Sequence, residues 1–255
     1  MLNRILRDEP AKGTMHNREA LTIKSIFKSV SNYNLWPIYL IRFCTDLSVG
    51  PVSTYLTLTL RSLGFDPFHT ALLSIPPNIM TIIWYPIVGW ASERFKQRSL
   101  LYAIVPLWNL PNLLALRFWP GLLKDKWPTY ALLMITLSTP SLIGISVSWC
   151  SANSNSVKNR TVSASLVNMF GQTAGIVSSQ VYRSKDAPLY HHGNDVLIGI
   201  TFTALAACIF AKVYYMTVNR LREKKWNAMT EEEKTIYLTT TEAEDTHSLN
   251  FRFTH

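Results

Sequence analysis

Charge is scarce in this chain. Asp, Glu, Lys and Arg supply 16% of its 255 residues, where soluble globular proteins use about 25%. Too few ionisable groups are present to cover a water-exposed surface of this size, which excludes an ordinary soluble domain. Cysteine is almost absent: Cys44, Cys150 and Cys208 each lie in or beside a different apolar stretch. An odd count without CxxC spacing argues against a disulfide framework or a zinc site, and leaves three small packing residues. No nucleophile elbow, phosphate-binding glycine loop or paired catalytic carboxylates occur, so nothing points to an enzyme or a cofactor. The net charge of +9 comes without any nucleic-acid motif. Its cations sit in tails and short loops between apolar stretches, a placement that suits the anionic face of a lipid bilayer.

No cleavable signal is expected in the opening residues. Residues 1–34 carry Arg4, Arg7, Asp8, Glu9, Lys12, Arg18, Glu19, Lys24 and Lys28, with no apolar core or small-residue cleavage site after the first charges. Targeting is expected from the first spanning helix.

What the chain does have is oily length. A spanning helix needs about 20 mostly apolar residues, at 1.5 Å per residue through roughly 30 Å of hydrocarbon. Six stretches meet this: about 35–60, 69–91, 100–119, 127–150, 162–182 and 196–218. The expected fold is an all-α membrane protein, a six-helix bundle over 35–218. A tail before it (1–34) and another after it (219–255) are expected in the cytoplasm, the second acidic and solvated around 231–245. Trp and Tyr number eight and eleven, as suits membrane interfaces. Ser, Thr, Asn, Gly and Pro recur inside the stretches, as in Ser74-Ile-Pro-Pro-Asn78 and Ser138-Thr-Pro-Ser141. In lipid such residues must face other helices or a wet cavity.

Orientation follows from Lys and Arg near helix ends. With the start of the chain inside, Arg18, Lys24, Lys28, Arg94, Lys96, Arg98, Lys158, Arg160, Arg220, Arg222, Lys224 and Lys225 lie inside. Arg61, Arg117, Lys124, Lys126, Arg183 and Lys185 then lie outside. Twelve against six favours both ends in the cytoplasm. The sequon Asn159-Arg-Thr161 then also lies inside and is expected to stay unmodified.

The strongest local pattern is Gly89-Trp-Ala-Ser-Glu93-Arg94-Phe-Lys-Gln-Arg98, of the form G-x-x-x-[D/E]-R-x-x-x-R, between the second and third stretches. A small Gly lets helix ends approach, and the acid can pair with Arg or cap a neighbouring helix. A positively charged loop with an incidental acid is the plainer reading. The pattern resembles the loop signature of the major facilitator superfamily. Four further strings, Asn34-Leu-Trp-Pro-Ile-Tyr39, Tyr55 to Phe65, Trp149 to Asn155 with Arg160 and Asn168, and Tyr182-Arg-Ser-Lys-Asp-Ala-Pro-Leu-Tyr190, resemble the second half of the fungal allantoate permease family. That family is the anion:cation symporter branch of the superfamily. The resemblance covers most of residues 1–226 and implies the C-terminal half of a secondary transporter for small organic anions, usually moved with protons. It implies that residues 1–34 are part of the central loop. It also leaves open a non-transporting fragment of a split gene, or a membrane subunit pairing with a separate N-terminal half or a second copy.

Candidate pathway residues follow from depth. Arg42 and Asp46 lie four apart and share a helix face. Charges at mid-depth cost roughly 2.5–3.5 kcal/mol each on insertion scales unless paired or wet. They read either as an anion contact and a proton-coupling carboxylate, or as a mutual salt bridge facing the bundle. Asn78, Asn168 and Gln172 are mid-helix amides on the second and fifth stretches, and the resemblance implies that those helices line the cavity. Interhelical bonding is their plainer role. Gly171-Gln-Thr-Ala-Gly175 is a GxxxG pattern, read as close packing. His191-His192 lacks a Cys or carboxylate at ligand spacing, so no metal is expected.

Overall fold

The computed structural model describes residues 26–27, 30–154, 157–187, 189–240 and 248–255. Among them every regular element is a helix. Helix α1 (Trp36–Ser62) starts with Pro37 in its first turn and ends in a glycine cap. Gly64 takes φ +83°, the Gly64 amide bonds Arg61 O, and the Phe65 amide bonds Leu60 O. That is the Schellman arrangement, and it turns the chain back sharply. Helices α2 (Pro67–Leu73) and α3 (Ile75–Phe95) run on through Ser74. The remaining helices are α4 (Arg98–Phe118), α5 (Lys126–Leu137), α6 (Ile143–Ala152), α7 (Val157–Ser178), α8 (His191–Asn227) and α9 (Glu231–Thr240).

Each of the six expected stretches is helical, in one piece or two. Among the described residues three helical runs are long and apolar enough by themselves to cross a membrane: Pro67–Phe95, α4 and α8. Helix α1 has the length but contains Arg42, Asp46 and Arg61, and α7 is rich in Ser, Thr, Asn and Gln.

The fourth stretch departs from expectation. It is not one helix but two, α5 and α6, separated by an unwound strand of chain at 138–142. Pro140 is the cause, because it cannot donate the helical hydrogen bond and its ring crowds the preceding turn. The freed carbonyls are met from neighbouring helices. Trp84 Nε1 donates to Ser138 O at 2.8 Å and Tyr102 Oη to Leu142 O at 2.7 Å. Irregular backbone survives at membrane depth only where it is satisfied in this way.

Helix α8 is also longer than expected. At 37 residues it extends about 55 Å. Lys212 Nζ bonds Gln97 Oε1 at 2.9 Å in the α3–α4 turn, and past it Tyr215 and Arg222 are still buried. Part of the stretch expected to be solvated, 231–240, forms α9. Thr230 and Glu233 cap it reciprocally: the Thr230 amide bonds Glu233 Oε2 at 2.8 Å, and the Glu233 amide bonds Thr230 Oγ1 at 3.3 Å. Residues 241–245 lie outside the described residues.

Helices α1, α4, α7 and α8 pack most extensively, α4 and α1 on α8 and α7 on α1. The buried apolar residues of these helices, with some from α5 and α6, fall into two clusters. One, toward the Arg98 end, holds Ile38, Tyr39, Ile41, Tyr102, Val105, Trp149, Ala211 and Tyr215. The other, toward the Arg117 end, holds Val52, Leu56, Leu60, Leu113, Leu116, Leu133 and Leu197. The sequence order along each helix sets a polar layer between them: Arg42, Thr45, Asp46 and Ser48 on α1, Asn109 on α4 and Thr201 on α8. All but Asp46 are buried.

Candidate functional site

The polar layer is centred on α1. Arg42 Nη1 lies 2.6 Å from Asp46 Oδ1, with side-chain exposures of 8% and 28%. The i, i+4 spacing stacks the two side chains on one face. Facing them on α7 is Gly171. A Cβ there would stand 2.9 Å from Arg42 Nη2, 3.0 Å from Asp46 Oδ2 and 3.1 Å from Arg42 Nε. Gly171 is therefore the gap into which the ion pair fits. Gly175, its partner in the GxxxG pattern, has nothing within 4 Å of a built Cβ. The close α1–α7 approach falls instead at Gly50, whose Cβ would meet Ser178 Oγ at 2.5 Å.

Three buried polar atoms of this layer have no hydrogen-bond partner among the described residues: Arg42 Nε, Thr45 Oγ1 and Asn109 Nδ2. Unmet donors at such depth are costly, about 1–3 kcal/mol each. Asn109 Oδ1 does accept a bond from Thr139 Oγ1 at 2.6 Å, beside the α5–α6 break. The site so composed has a buried guanidinium with spare donor capacity, a carboxylate in contact with it, and neutral polar groups at the same level.

The other amides from the sequence lie apart from the pair. Asn168 and Gln172 are exposed on α7, one on each side of Gly171 in sequence, with Ser165 and Thr173 on the same uncovered stripe. Asn78 is exposed on α3 and folds back to donate to Ser74 O at 3.0 Å.

The charged turn is only partly engaged. Gly89 is exposed and has no neighbour within 4 Å of a built Cβ, so it does not serve a close helix approach. Glu93 and Arg94 are exposed and make no ion pair among the described residues. Arg98 is held: its Nη1 donates to Ser148 O at 3.2 Å and to Thr254 Oγ1 at 3.4 Å. A groove of about 640 Å³ runs from the α5–α6 break to this turn, past Tyr85, Gly89, Glu93, Lys96, Ser141 and Ser148.

At the opposite end a second recess, of about 750 Å³, is lined by Arg117, Arg183, Lys185, His191, His192 and Asp195. Arg117 Nε bonds Asp195 Oδ1 at 2.6 Å, and its Nη1 lies 3.2 Å from His191 Nδ1. His191 is thus occupied by an arginine.

Sequence reasoning placed Arg42 and Asp46 together but missed Gly171 as their seat, and missed Asn109 and the helix break. The Thr139-Pro140 step was the available signal for the break.

No family model matches the chain, and no solved structure matches it. It is 37% identical over all 255 residues to the uncharacterized transporter YIL166C of Saccharomyces cerevisiae, and spans 47% of that protein. It is 45% identical over 204 residues to the uncharacterized transporter YOL162W of the same yeast, which covers 80% of this chain and 95% of that one. A more distant relative, at 24% over 224 residues, is the MFS transporter prlL of a fungal species; the match covers 85% of this chain and 43% of that protein. With near full-length coverage of YOL162W, the chain belongs to this family of fungal membrane transporters of the major facilitator type.

Proposed function

We propose that the chain is one six-span helical bundle of a secondary transporter for small organic anions, equivalent to the C-terminal half of a major facilitator fold. In this reading it works against a second bundle, either an N-terminal half or a second copy, and resembles the allantoate permease branch. The supporting observation is the Arg42–Asp46 pair, seated on Gly171 between two apolar clusters with the Arg42 Nε donor unmet. A guanidinium that keeps a free donor at membrane depth suits a carboxylate or sulfonate group. Asp46, more exposed than its partner, is the group to exchange a proton as the anion competes for Arg42. Asn168 and Gln172 supply amides toward the uncovered side of α7, and Asn78 does so from α3. The turn Gly89–Arg98 is the element that changes between states. Plasma membrane is the expected location, with both ends of the chain in the cytoplasm.

The chain spans 47% of YIL166C, and the reading calls for a bundle equivalent to the rest. Uptake of radiolabelled organic anions into vesicles tests this, with the chain expressed alone and together with the N-terminal half of YIL166C. Uptake only with the partner supports the paired reading, and uptake by the chain alone supports a homo-oligomer. The absence of uptake in both arms refutes the proposal.

A further inference from the structure

The segment Ser248–His255 is bound by the bundle as a peptide is bound by a receptor. Phe253 is 2% exposed. Its ring lies 5.2 Å from that of Tyr215 and 4.7 Å beneath the Arg222 guanidinium, an aromatic seat with a cation–π lid. Two asparagines read the backbone of consecutive residues. Asn219 Nδ2 donates to Phe253 O at 2.8 Å while the Phe253 amide donates to Asn219 Oδ1 at 2.9 Å. Asn153 Nδ2 donates to Thr254 O at 3.1 Å while the Thr254 amide donates to Asn153 Oδ1 at 2.8 Å. Trp149 Nε1 adds a bond to Thr254 O at 2.8 Å, and the Arg98 amide donates to His255 O at 3.1 Å. Every backbone donor and acceptor of Phe253 and Thr254 is therefore met by a side chain of α8, of α6 or of the α6 cap Asn153.

Those contacts come from three helices and one helix cap: Arg98 begins α4, Trp149 is on α6 with Asn153 as its C-terminal cap, and Tyr215, Asn219 and Arg222 are on α8. Thr254 also forms part of the wall of the groove that holds Glu93, Lys96 and Ser148. We infer that residues 250–255 form an intramolecular latch, a peptide ligand carried by the chain itself, that ties α4, α6 and α8 together and narrows the groove at the Arg98 end until it is released. This inference concerns the state of one end of the bundle and does not rest on the transport reading.

The test uses the full chain in lipid nanodiscs with Ser148→Cys as reporter. Ser148 is exposed in the groove, and the three native cysteines are buried. The rate of labelling by a charged maleimide is compared in the parent, in Phe253→Ala and in Asn219→Ala, which removes both amide bonds to Phe253. Both variants are expected to label about tenfold faster or more, the change that 1.4 kcal/mol lost from the closed state produces. A synthetic peptide of residues 248–255, added to the Phe253→Ala chain, is expected to restore the slow rate. A parent-like rate in either variant overturns the latch. So does an increase that the peptide fails to reverse, because general loosening of the bundle would explain it.

Discussion

Replacing Asp46 with leucine would strip the carboxylate from a guanidinium whose side chain is only 8% exposed. Removing one partner of a buried pair costs roughly 3–5 kcal/mol, mostly from the uncompensated charge left behind. Asp46 itself is 28% exposed, so solvent already screens part of the interaction and the lower end, about 3 kcal/mol, is expected. For a chain of this size that corresponds to a fall in Tm of ~6–12 °C. The decisive comparison is Arg42→Met combined with Asp46→Leu. Exchanging both charges for apolar groups of similar volume is close to neutral, so the double variant is expected to recover most of the loss. The coupling energy from the four-protein cycle is then about 2 kcal/mol or more. Intrinsic tryptophan fluorescence on heating in one detergent, at one scan rate, gives all four values. If the two single effects add to within ~0.5 kcal/mol, the side chains do not depend on one another, and the account of the polar layer is wrong.

Gly171→Ala is expected to cost about 1–3 kcal/mol, because its Cβ intrudes on both members of the pair. Gly175→Ala, with open space at its Cβ, should stay within about 0.5 kcal/mol of the parent in the same thermal assay. Tyr102→Phe removes the donor to Leu142 O at the helix break and should cost about 1–3 kcal/mol, more than Tyr85→Phe, whose bond to Ser141 Oγ is long at 3.4 Å and exposed. Arg117→Met at the opposite end, where Asp195 is 46% exposed, should cost under about 1 kcal/mol and lose most of that effect in high salt. If the charge bias sets the orientation, Asn159 stays unglycosylated in a eukaryotic membrane, and endoglycosidase produces no gel shift.

Much of the helix plan was legible because hydrophobic length is a blunt signal that survives local detail. The end of α1 could be read from Gly64 and Pro67, since only glycine enters the left-handed cap without strain. The pairing of Arg42 with Asp46 could be read from spacing alone. The seat of that pair could not. Gly171 and Gly175 look equivalent in a GxxxG string and share one face of α7; only the level at which Arg42 and Asp46 cross α7 separates them, and that is not written in the string. Asn109 was hidden for the opposite reason: one amide in an apolar helix reads as incidental until Thr139, 30 residues on, is brought to it by the break. Segment 248–255 was illegible because its binding depends on Asn153 and Asn219, side chains far away in sequence whose meaning lies only in where they meet.

The surface of the bundle gives a separate argument about what surrounds it. Helix α3 exposes Ile75, Ile79, Met80, Ile82, Ile83, Ile87 and Trp90, a coat that hydrocarbon solvates at no cost and that one amide interrupts, Asn78, which bonds back to Ser74 O. Helix α7 exposes Ser165, Asn168, Gln172 and Thr173 along one stripe. Hydroxyls can return their hydrogen bond to the preceding turn, and Ser165 and Thr173 do so, to Thr161 O and Met169 O. An amide has two donors and an acceptor, more than one turn can satisfy. Asn168 and Gln172 therefore cannot face lipid tails as comfortably as α3 does. Met169 and Ile176 are exposed on the same face, so the stripe is mixed; its two amides favour water or another polar surface, and it lies on the helix that seats Arg42 and Asp46. If the stripe faces a second bundle across a wet cavity, cysteines at 168 and 172 will react with a charged maleimide when the chain is alone and be shielded when the partner half is present. Equal shielding in both conditions would place the stripe in lipid and remove the physical reason for a partner on that side.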